Sequence, residues 1–333
     1  MASRLRTVTR DDLTIVRRRR GKGFSYVDFE GGVVADPETR ERILTLGIPP
    51  AWEDVRIARH PRAHIQCCGT DGAGRVQYIY HADWEERRTQ RKLEQLAQLG
   101  QALPRIRRRV GQDLGAEAGS LDLALAIGVG LIDRTAMRVG RERYLKSSGT
   151  RGAGTLFARD VTVDGAAISL HFSAKGGKEA SYTFTDASLA DAIARIKQLP
   201  GKRLLVYRNE AGKVVPIRSE MLNAYLARIA RTHVTAKDFR TLHASALAAE
   251  ALAELDPGTS QSARKRQIAQ VVRTVSEHLR NTPAICRKSY VAPCLFTLFD
   301  KGNLRALWEA PAKTRRGLKL REVRLGAVLA SLG

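Results

Sequence analysis

Leu121-Asp-Leu-Ala-Leu-Ala-Ile-Gly-Val-Gly-Leu-Ile-Asp-Arg-Thr-Ala-Met-Arg138 is the stretch on which the fold turns. Its apolar residues (Leu121, Leu123, Leu125, Ile127, Val129, Leu131, Ile132 and Met137) fall on nearly every face of a helix, and a helix with no polar side must be surrounded by other elements. The pattern predicts a buried helix over 121–138 that ends near Gly140, inside a helical bundle. Arg138 is then a cation at the end of a core helix, a place where a charge is costly to hold without a purpose.

Beyond this helix the texture changes to strands. Val161 to Val163, Ile168 to Ser173 and Ser181 to Phe184 are separated by turns at Asp164-Gly165 and Gly176-Gly177, and Lys175 lies beside the second turn, at a hairpin tip. Helices resume at about 187–199, 219–232, 236–254 and 261–280. Ahead of the helix, from Thr14 to about Tyr80, the runs are short, β-branched or aromatic, and broken by Gly, Pro and Asp: Thr14 to Val16, Phe24 to Val27, Val55 to Ala58, His64 to Cys67, Arg75 to Tyr80. After Trp84 a charged helix begins, with Leu93, Leu96 and Leu99 on one side. The fold expected is α+β, with a β-rich N-terminal domain over 1–88 and a mostly helical domain over 89–333 that carries a small inserted sheet.

The chain has 333 residues, enough for two domains with ordinary cores. Fifty-seven Lys and Arg stand against thirty-four Asp and Glu, a net charge of +23 spread along the whole length, so the expected partner is a polyanion. DNA suits this best, because each neutralised phosphate releases counterions, while charge alone does not separate it from RNA or an anionic membrane. The basic end, Lys313 to Leu332, has Leu325, Val328, Leu329 and Leu332 at helical spacing and reads as a docked helix or a DNA-touching extension. Cysteines 67, 68, 286 and 294 have neither zinc-site nor disulfide-framework spacing, which fits a reducing cytoplasm. No stretch approaches a membrane span or a signal core, so a soluble, unexported chain is expected.

Tyr290 closes the segment Asn281-Thr-Pro-Ala-Ile-Cys-Arg-Lys-Ser-Tyr290, downstream of Lys237-Asp-Phe-Arg240. A phenol, two guanidiniums and an ammonium held together would attack a phosphodiester, meet the charge pushed onto its oxygens and protonate the leaving sugar oxygen. Arg138 and Arg240 are the candidate clamps. Arg240 follows Thr235-Ala-Lys-Asp238, which reads as a capping box, and Lys237 lies three residues before it on the same helical face. Lys175 is the candidate acid, with Lys178 as rival and Lys237 as relay; taken alone, Lys175 reads as a charged turn residue. Tyrosine needs cationic surroundings to act as a nucleophile. Asn281 could hydrogen-bond a phosphate oxygen, and Asn281-Thr-Pro283 reads at least as well as a helix stop. In Gln77-Tyr78-Ile-Tyr80, Gln77 and Ile79 fall on one side of a strand and Tyr78 and Tyr80 on the other, so one face can meet DNA while the other packs. Gly69-Thr-Asp-Gly72-Ala-Gly74 and Gly149-Thr-Arg-Gly152-Ala-Gly154 lack the ending of a phosphate loop, so no nucleotide site is expected. No carboxylate cluster has metal spacing, and His64, His81 and His171 read as structural.

Seven ordered motifs give these residues company: Ile48-Pro-Pro-Ala-Trp52-Glu-Asp-Val55, His64-Ile-Gln66, Gly74-Arg-Val-Gln77-Tyr-Ile-Tyr80-His81, Arg138-Val-Gly140-Arg-Glu-Arg-Tyr144, Phe172-Ser-Ala-Lys175, Lys237-Asp-Phe-Arg240-Thr and the segment ending at Tyr290. Over nearly its whole length the chain resembles the small type IB DNA topoisomerases of the bacterial and poxviral branch, whose catalytic domain is related to tyrosine recombinases. The resemblance implies a clamp on duplex DNA and an ATP- and metal-independent relaxation of positive and negative supercoils through a 3′-phosphotyrosyl intermediate. It makes Tyr290 the nucleophile, Arg138 and Arg240 the phosphate clamps, Lys175 the acid and Lys237 its helper, with Gln77, Tyr78, Tyr80 and Tyr144 touching DNA. The chain departs from the poxviral pattern at Asn281, where histidine is usual, and at Gly176, where aspartate follows the catalytic lysine.

The expected protein is a cytoplasmic, nucleoid-associated monomer needing no cofactor or metal. A tyrosine recombinase would show strand exchange and usually carries a helical front domain. A non-catalytic basic architectural protein would bind supercoiled plasmid and leave it unchanged.

Overall fold

The computed structural model describes residues 4–332, and the chain falls into two compact units, Met1–Arg91 and Lys92–Gly333. The first unit is β-rich. Strands β1 (Ile15–Arg20), β2 (Gly23–Val27), β3 (Glu53–Ile57), β4 (Ile65–Thr70) and β5 (Val76–Tyr80) form one antiparallel sheet in the order β2-β1-β3-β4-β5. Ile15, Val55, Ile57 and Cys67 point into a core that Ile43 of helix α1 (Pro37–Thr45) completes. The sequence reading had no helix here. Its signal is Asp36-Pro37: the Asp36 carboxylate accepts from the Thr39 N–H, and Pro37 opens the first turn, where it removes no needed donor. Two of the motif runs of this unit have structural work. Arg17 donates to the carbonyls of Pro49, Pro50 and Trp52. Gln66, 3% exposed, is held by Arg42 and by the carbonyls of Pro61 and Ala63.

Helix α2 (Ala82–Asp113) starts in the first unit and runs unbroken through the division. The second unit continues with α3 (Leu121–Thr135), α4 (Glu142–Ser148), the antiparallel sheet of β6 (Val161–Asp164), β7 (Ala167–Ser173) and β8 (Glu179–Thr185), α5 (Ala187–Ile196), and the small hairpin of β9 (Val206–Arg208) and β10 (Val214–Pro216). It ends with α6 (Ser219–Ala230), α7 (Ala236–Ala253), α8 (Gln261–His278), α9 (Pro283–Ser289), α10 (Pro293–Asp300), α11 (Leu304–Glu309) and α12 (Leu320–Ala330).

α3 is the buried helix that its composition demands. Every residue from Leu123 to Val129 is buried, and each fully buried Leu or Ile contributes on the order of 1.5–3 kcal/mol. Its glycines admit neighbours: a Cβ on Gly128 would stand 2.6 Å from a methyl of Leu222 on α6, and one on Gly130 would stand 3.2 Å from Leu189 on α5. The helix is shorter than its apolar run. It stops at Thr135 because Ala136 takes the left-handed conformation (φ 52) and its N–H caps the Ile132 carbonyl. Arg138 therefore stands in the segment after the helix, three residues past its last turn, rather than on it. At the other end of the unit, α12 is docked through buried Leu325 and Val328, and its Glu322 takes part in a bidentate pairing with Arg107, which also grips Asp133 at the end of α3. Leu332, which shares their helical spacing in the sequence, is 46% exposed and lies past the helix end.

Candidate active site

A cleft of about 440 Å³ in the second unit is lined by Arg138, Tyr144, Lys175, Lys237, Arg240 and Tyr290, together with Arg141, Arg151 and the glycines 140, 176 and 177. Five of the six residues expected to do chemistry meet there, from four separate stretches of chain. Lys178, the rival to Lys175, is not among the lining residues.

Arg240 sits in the first turns of α7 and is 3% exposed. Asp238 accepts from the Thr235 N–H (2.8 Å) and hydroxyl (2.9 Å), the reciprocal half of the expected capping box, which fixes where α7 starts. Phe239 and Leu242 are buried on either side and lock the helix rotation. The Arg240 guanidinium donates to the carbonyls of Ala136 and Leu279 (2.9 Å for the latter) and lies 4.9 Å from the centre of the Tyr290 ring. Its Nε is a buried donor with no protein partner. The left-handed turn at Ala136 thus has a use: it aims a helix-terminal carbonyl at Arg240.

Arg138 donates through Nη2 to the Arg280 carbonyl (3.3 Å) and to Asn281 Oδ1. Burial, and after it the neighbouring Arg240, pushes its guanidinium below the ordinary arginine range, while Tyr290 and Tyr182 act the other way. It stays charged at neutral pH regardless. Among the described residues, neither Arg138 nor Arg240 pairs with a carboxylate.

The Arg138 backbone is held by the glycine-rich run that the sequence offered as a failed phosphate loop. The N–H of Ala153 donates to the Arg138 carbonyl (2.9 Å) and that of Gly154 to Val139 (2.7 Å). Gly140 (φ +76) and Gly152 pack backbone against backbone there. The Arg151 N–H reaches the Ser173 carbonyl (2.9 Å), tying the same run to the end of β7, two residues before Lys175. Nothing local in the sequence announces this contact, since each glycine is explained only by the other.

Asn281 is a helix stop, and its side chain also meets Arg138. α8 ends at His278, Arg280 is left-handed (φ 52), and the Asn281 N–H closes back on the Ser276 carbonyl (2.8 Å), so the segment is a helix stop. The same turn delivers the Asn281 amide to Arg138, with its Nδ2 buried and without a protein partner. Asn281 touches the cleft through Arg138 and does not line it. Tyr290 follows directly: Thr282 caps α9, Pro283 opens it, and Tyr290 ends it half-buried, its carbonyl accepting from Ser245 (3.2 Å).

Lys175 and Lys237 are exposed, on the turn after β7 and the first turn of α7. Tyr144 on α4 is 47% exposed, with Arg143 over its ring and bonded to its hydroxyl (2.8 Å). In the first unit, β5 is an edge strand. Tyr78 and Tyr80 stack with ring centres 6.1 Å apart, and Ile79 packs into the core from the other side. Gln77, on the Ile79 side, donates to Asp71 (2.8 Å). His64 accepts from the Val8 N–H and packs edge-on against Trp84, while His81 and His171 pair with Asp83 and Glu179.

Such a site can hold a phosphodiester between two fixed guanidiniums beside a phenol, with ammonium groups in reach of a leaving oxygen. The chain is similar to known DNA topoisomerases. The family described as "Eukaryotic DNA topoisomerase I, catalytic core" matches residues 81–294, more than half of the chain, and "Bacterial DNA topoisomerase IB, N-terminal domain" matches residues 23–71. The DNA topoisomerase 1B of Acanthamoeba polyphaga mimivirus is 29% identical over 293 residues, covering 86% of this chain and 87% of that protein.

Proposed function

The chain belongs to the type IB DNA topoisomerases, and from that premise we propose that Tyr290 is the nucleophile with which it relaxes supercoiled DNA. The observation that carries the assignment is the convergence of Tyr290, Arg138, Arg240, Lys175 and Lys237 on one cleft. The Tyr290 oxygen bonds to phosphorus as the bond to the 5′-oxygen breaks; the phenolic proton goes to solvent, and Lys175 supplies a proton to the departing 5′-oxygen. Arg138 and Arg240 stabilise the charge that builds on the non-bridging oxygens. Lys237 assists the proton transfer, and Asn281 contributes a neutral hydrogen bond. The nicked strand swivels, and the 5′-hydroxyl then displaces Tyr290 by the reverse of the same steps. Because the covalent link conserves the energy of the broken bond, the reaction runs on positive and negative supercoils without ATP or metal.

Duplex DNA is the partner, gripped as by a clamp, with Gln77, Tyr78 and Tyr80 of the first unit and Tyr144 of the second as contacts. The clamp rests on the family resemblance, and exposed Tyr78, stacked on half-buried Tyr80, supports the contact reading. The enzyme works as a monomer at the nucleoid. No described helix is long and apolar enough to cross a membrane.

Incubation with supercoiled plasmid in EDTA and without ATP tests the reading, followed by mapping of the residue linked to DNA. Relaxation with an adduct on Tyr290 is expected, and Tyr290→Phe should bind DNA normally and relax nothing. An adduct on another side chain, or relaxation that persists in Tyr290→Phe, overturns it.

A further inference from the structure

Arg280 is absent from every motif that the sequence singled out, yet it joins two parts of the site. Its backbone lies in the left-handed region, which L side chains rarely adopt, and this turns its side chain away from the helix it follows. The guanidinium runs to β8, an edge strand of its sheet. Nη1 donates to the Glu179 carbonyl (3.2 Å), Nη2 donates to the Ser181 carbonyl, and the plane lies 4.7 Å from the centre of the Tyr182 ring. At the same time the Arg280 carbonyl accepts from Arg138, and the next residue, Asn281, accepts from the same Nη2 atom.

β8 is the strand that leaves the Lys175 turn. Ser173 pairs with Glu179, and the Ala174 N–H closes the turn on the Lys178 carbonyl (2.8 Å). Within the turn, Lys175, Gly176, Gly177 and Lys178 are all exposed, and both glycines have positive φ. The tip has little of its own to fix it, so its placement is inherited from the strands at its root. An acid held loosely loses the advantage of being held at all.

We propose that Arg280 is a positioning residue for leaving-group protonation: its side chain fixes the root of the Lys175 hairpin, and its backbone carries the same frame to Arg138. The inference rests on Lys175 being the general acid and extends that reading. Arginine suits the task because its planar fork spans two carbonyls and stacks on a ring, which lysine cannot reproduce.

The test is single-turnover cleavage by the full chain on two short duplexes that differ only in the bridging atom of the scissile link, 5′-oxygen or 5′-sulfur. Thiolate leaves without a proton, so loss of acid catalysis slows the oxygen link alone. Lys175→Ala sets the reference. Arg280→Ala should slow the oxygen link roughly 10- to 100-fold, a share of the ~10²–10⁴ typical of general acid catalysis, and the sulfur link less than about threefold. Arg280→Lys should fall between Arg280→Ala and the parent on the oxygen link. Equal slowing of both links by Arg280→Ala overturns the proposal, because a merely structural residue or one acting on the phosphate clamp gives no sulfur rescue. If Arg280→Ala does not fold, the same oxygen-to-sulfur comparison on Arg280→Lys decides. Selective slowing in Lys175→Ala without it in the Arg280 variants defeats this inference alone; equal slowing in Lys175→Ala defeats the acid assignment and this inference together.

Discussion

Replacing Gly152 with alanine adds one methyl group at the place where the active-site backbone is most crowded. Gly152 has an extended backbone (φ −163) that any residue adopts, so the substitution probes space and not conformation. The new Cβ would lie 2.4 Å from the Arg138 carbonyl oxygen, 2.6 Å from the Gly140 nitrogen and 2.9 Å from the Gly140 Cα. All three are backbone atoms that cannot rotate aside. With favourable heavy-atom separations of ~3.5 Å, relief demands a displacement on the order of 1 Å. The bonds from Ala153 to Arg138 and from Gly154 to Val139 stretch or break with it, at about 1 kcal/mol each. Overpacking adds roughly 1–3 kcal/mol, so a loss of about 3–5 kcal/mol is expected. For a unit of this size, at ~2–4 °C per kcal/mol, the melting temperature falls by on the order of 10 °C. Because the displaced carbonyl belongs to Arg138, cleavage should also slow by roughly 10²-fold, as a 1 Å misplacement of a catalytic group does. Thermal unfolding and single-turnover cleavage, the latter at a temperature where the variant is folded, measure both. Gly149→Ala is the control: it has φ +65 and nothing within 4 Å of an added Cβ, so it should cost about 1 kcal/mol of stability and leave cleavage unchanged. A Gly152→Ala protein that melts and cleaves like the parent would refute the idea that this backbone contact places Arg138.

Arg138→Ala and Arg240→Ala should each slow cleavage by about 10²-fold or more with DNA affinity falling far less, and comparable losses in affinity and rate would place them in binding alone. Asn281→Asp should be slower than Asn281→Ala, because a carboxylate at that position pairs with Arg138 and repels the phosphate; cleavage rates in the reverse order would refute this. Burial holds the His243 imidazole at about 4, with Asp133 opposing. The unfolded chain, with histidine near ~6.5, takes up a proton that the folded chain refuses, so this contribution is intact above about pH 6.5 and lost as pH falls towards 4. Thermal melts between about pH 7 and 5 should therefore show a shallower decline in His243→Gln than in the parent, and identical slopes would show that His243 does not carry the effect.

How much of this could be read from the chain depends on the range of the signal. The burial of α3 was legible because its apolar residues leave no polar face, and the start of α7 because Thr235 and Asp238 are three apart. Even the strands of the first unit came within a few residues of their places, except that β1 extends through its arginines to Arg20. Helix α1 went unread although Asp36 and Pro37 announce it, since only Ile43 of its residues is buried and the amphipathic pattern is faint. The strands β9 and β10, three residues each, are too short for periodicity to show. The convergence on the cleft was legible only through motif resemblance, because residues from 138 to 290 meet by tertiary contact. What held them there was illegible: the pairing of Gly140 with Gly152, the left-handed Ala136 and the Arg280 bridge are each defined by a partner far away in sequence.

Anchoring Arg138 and Arg240 on carbonyl and amide oxygens has a consequence for how the enzyme discriminates among anions. A carbonyl oxygen orients a guanidinium through its dipole yet leaves the full positive charge uncancelled, whereas a carboxylate would have spent that charge inside the protein. The cleft is thus an electrostatic socket built on neutral struts, and it favours an occupant that brings its own negative charge. Phosphodiester DNA does so at every step along its backbone; an uncharged backbone analogue of identical shape would find the same geometry and no attraction.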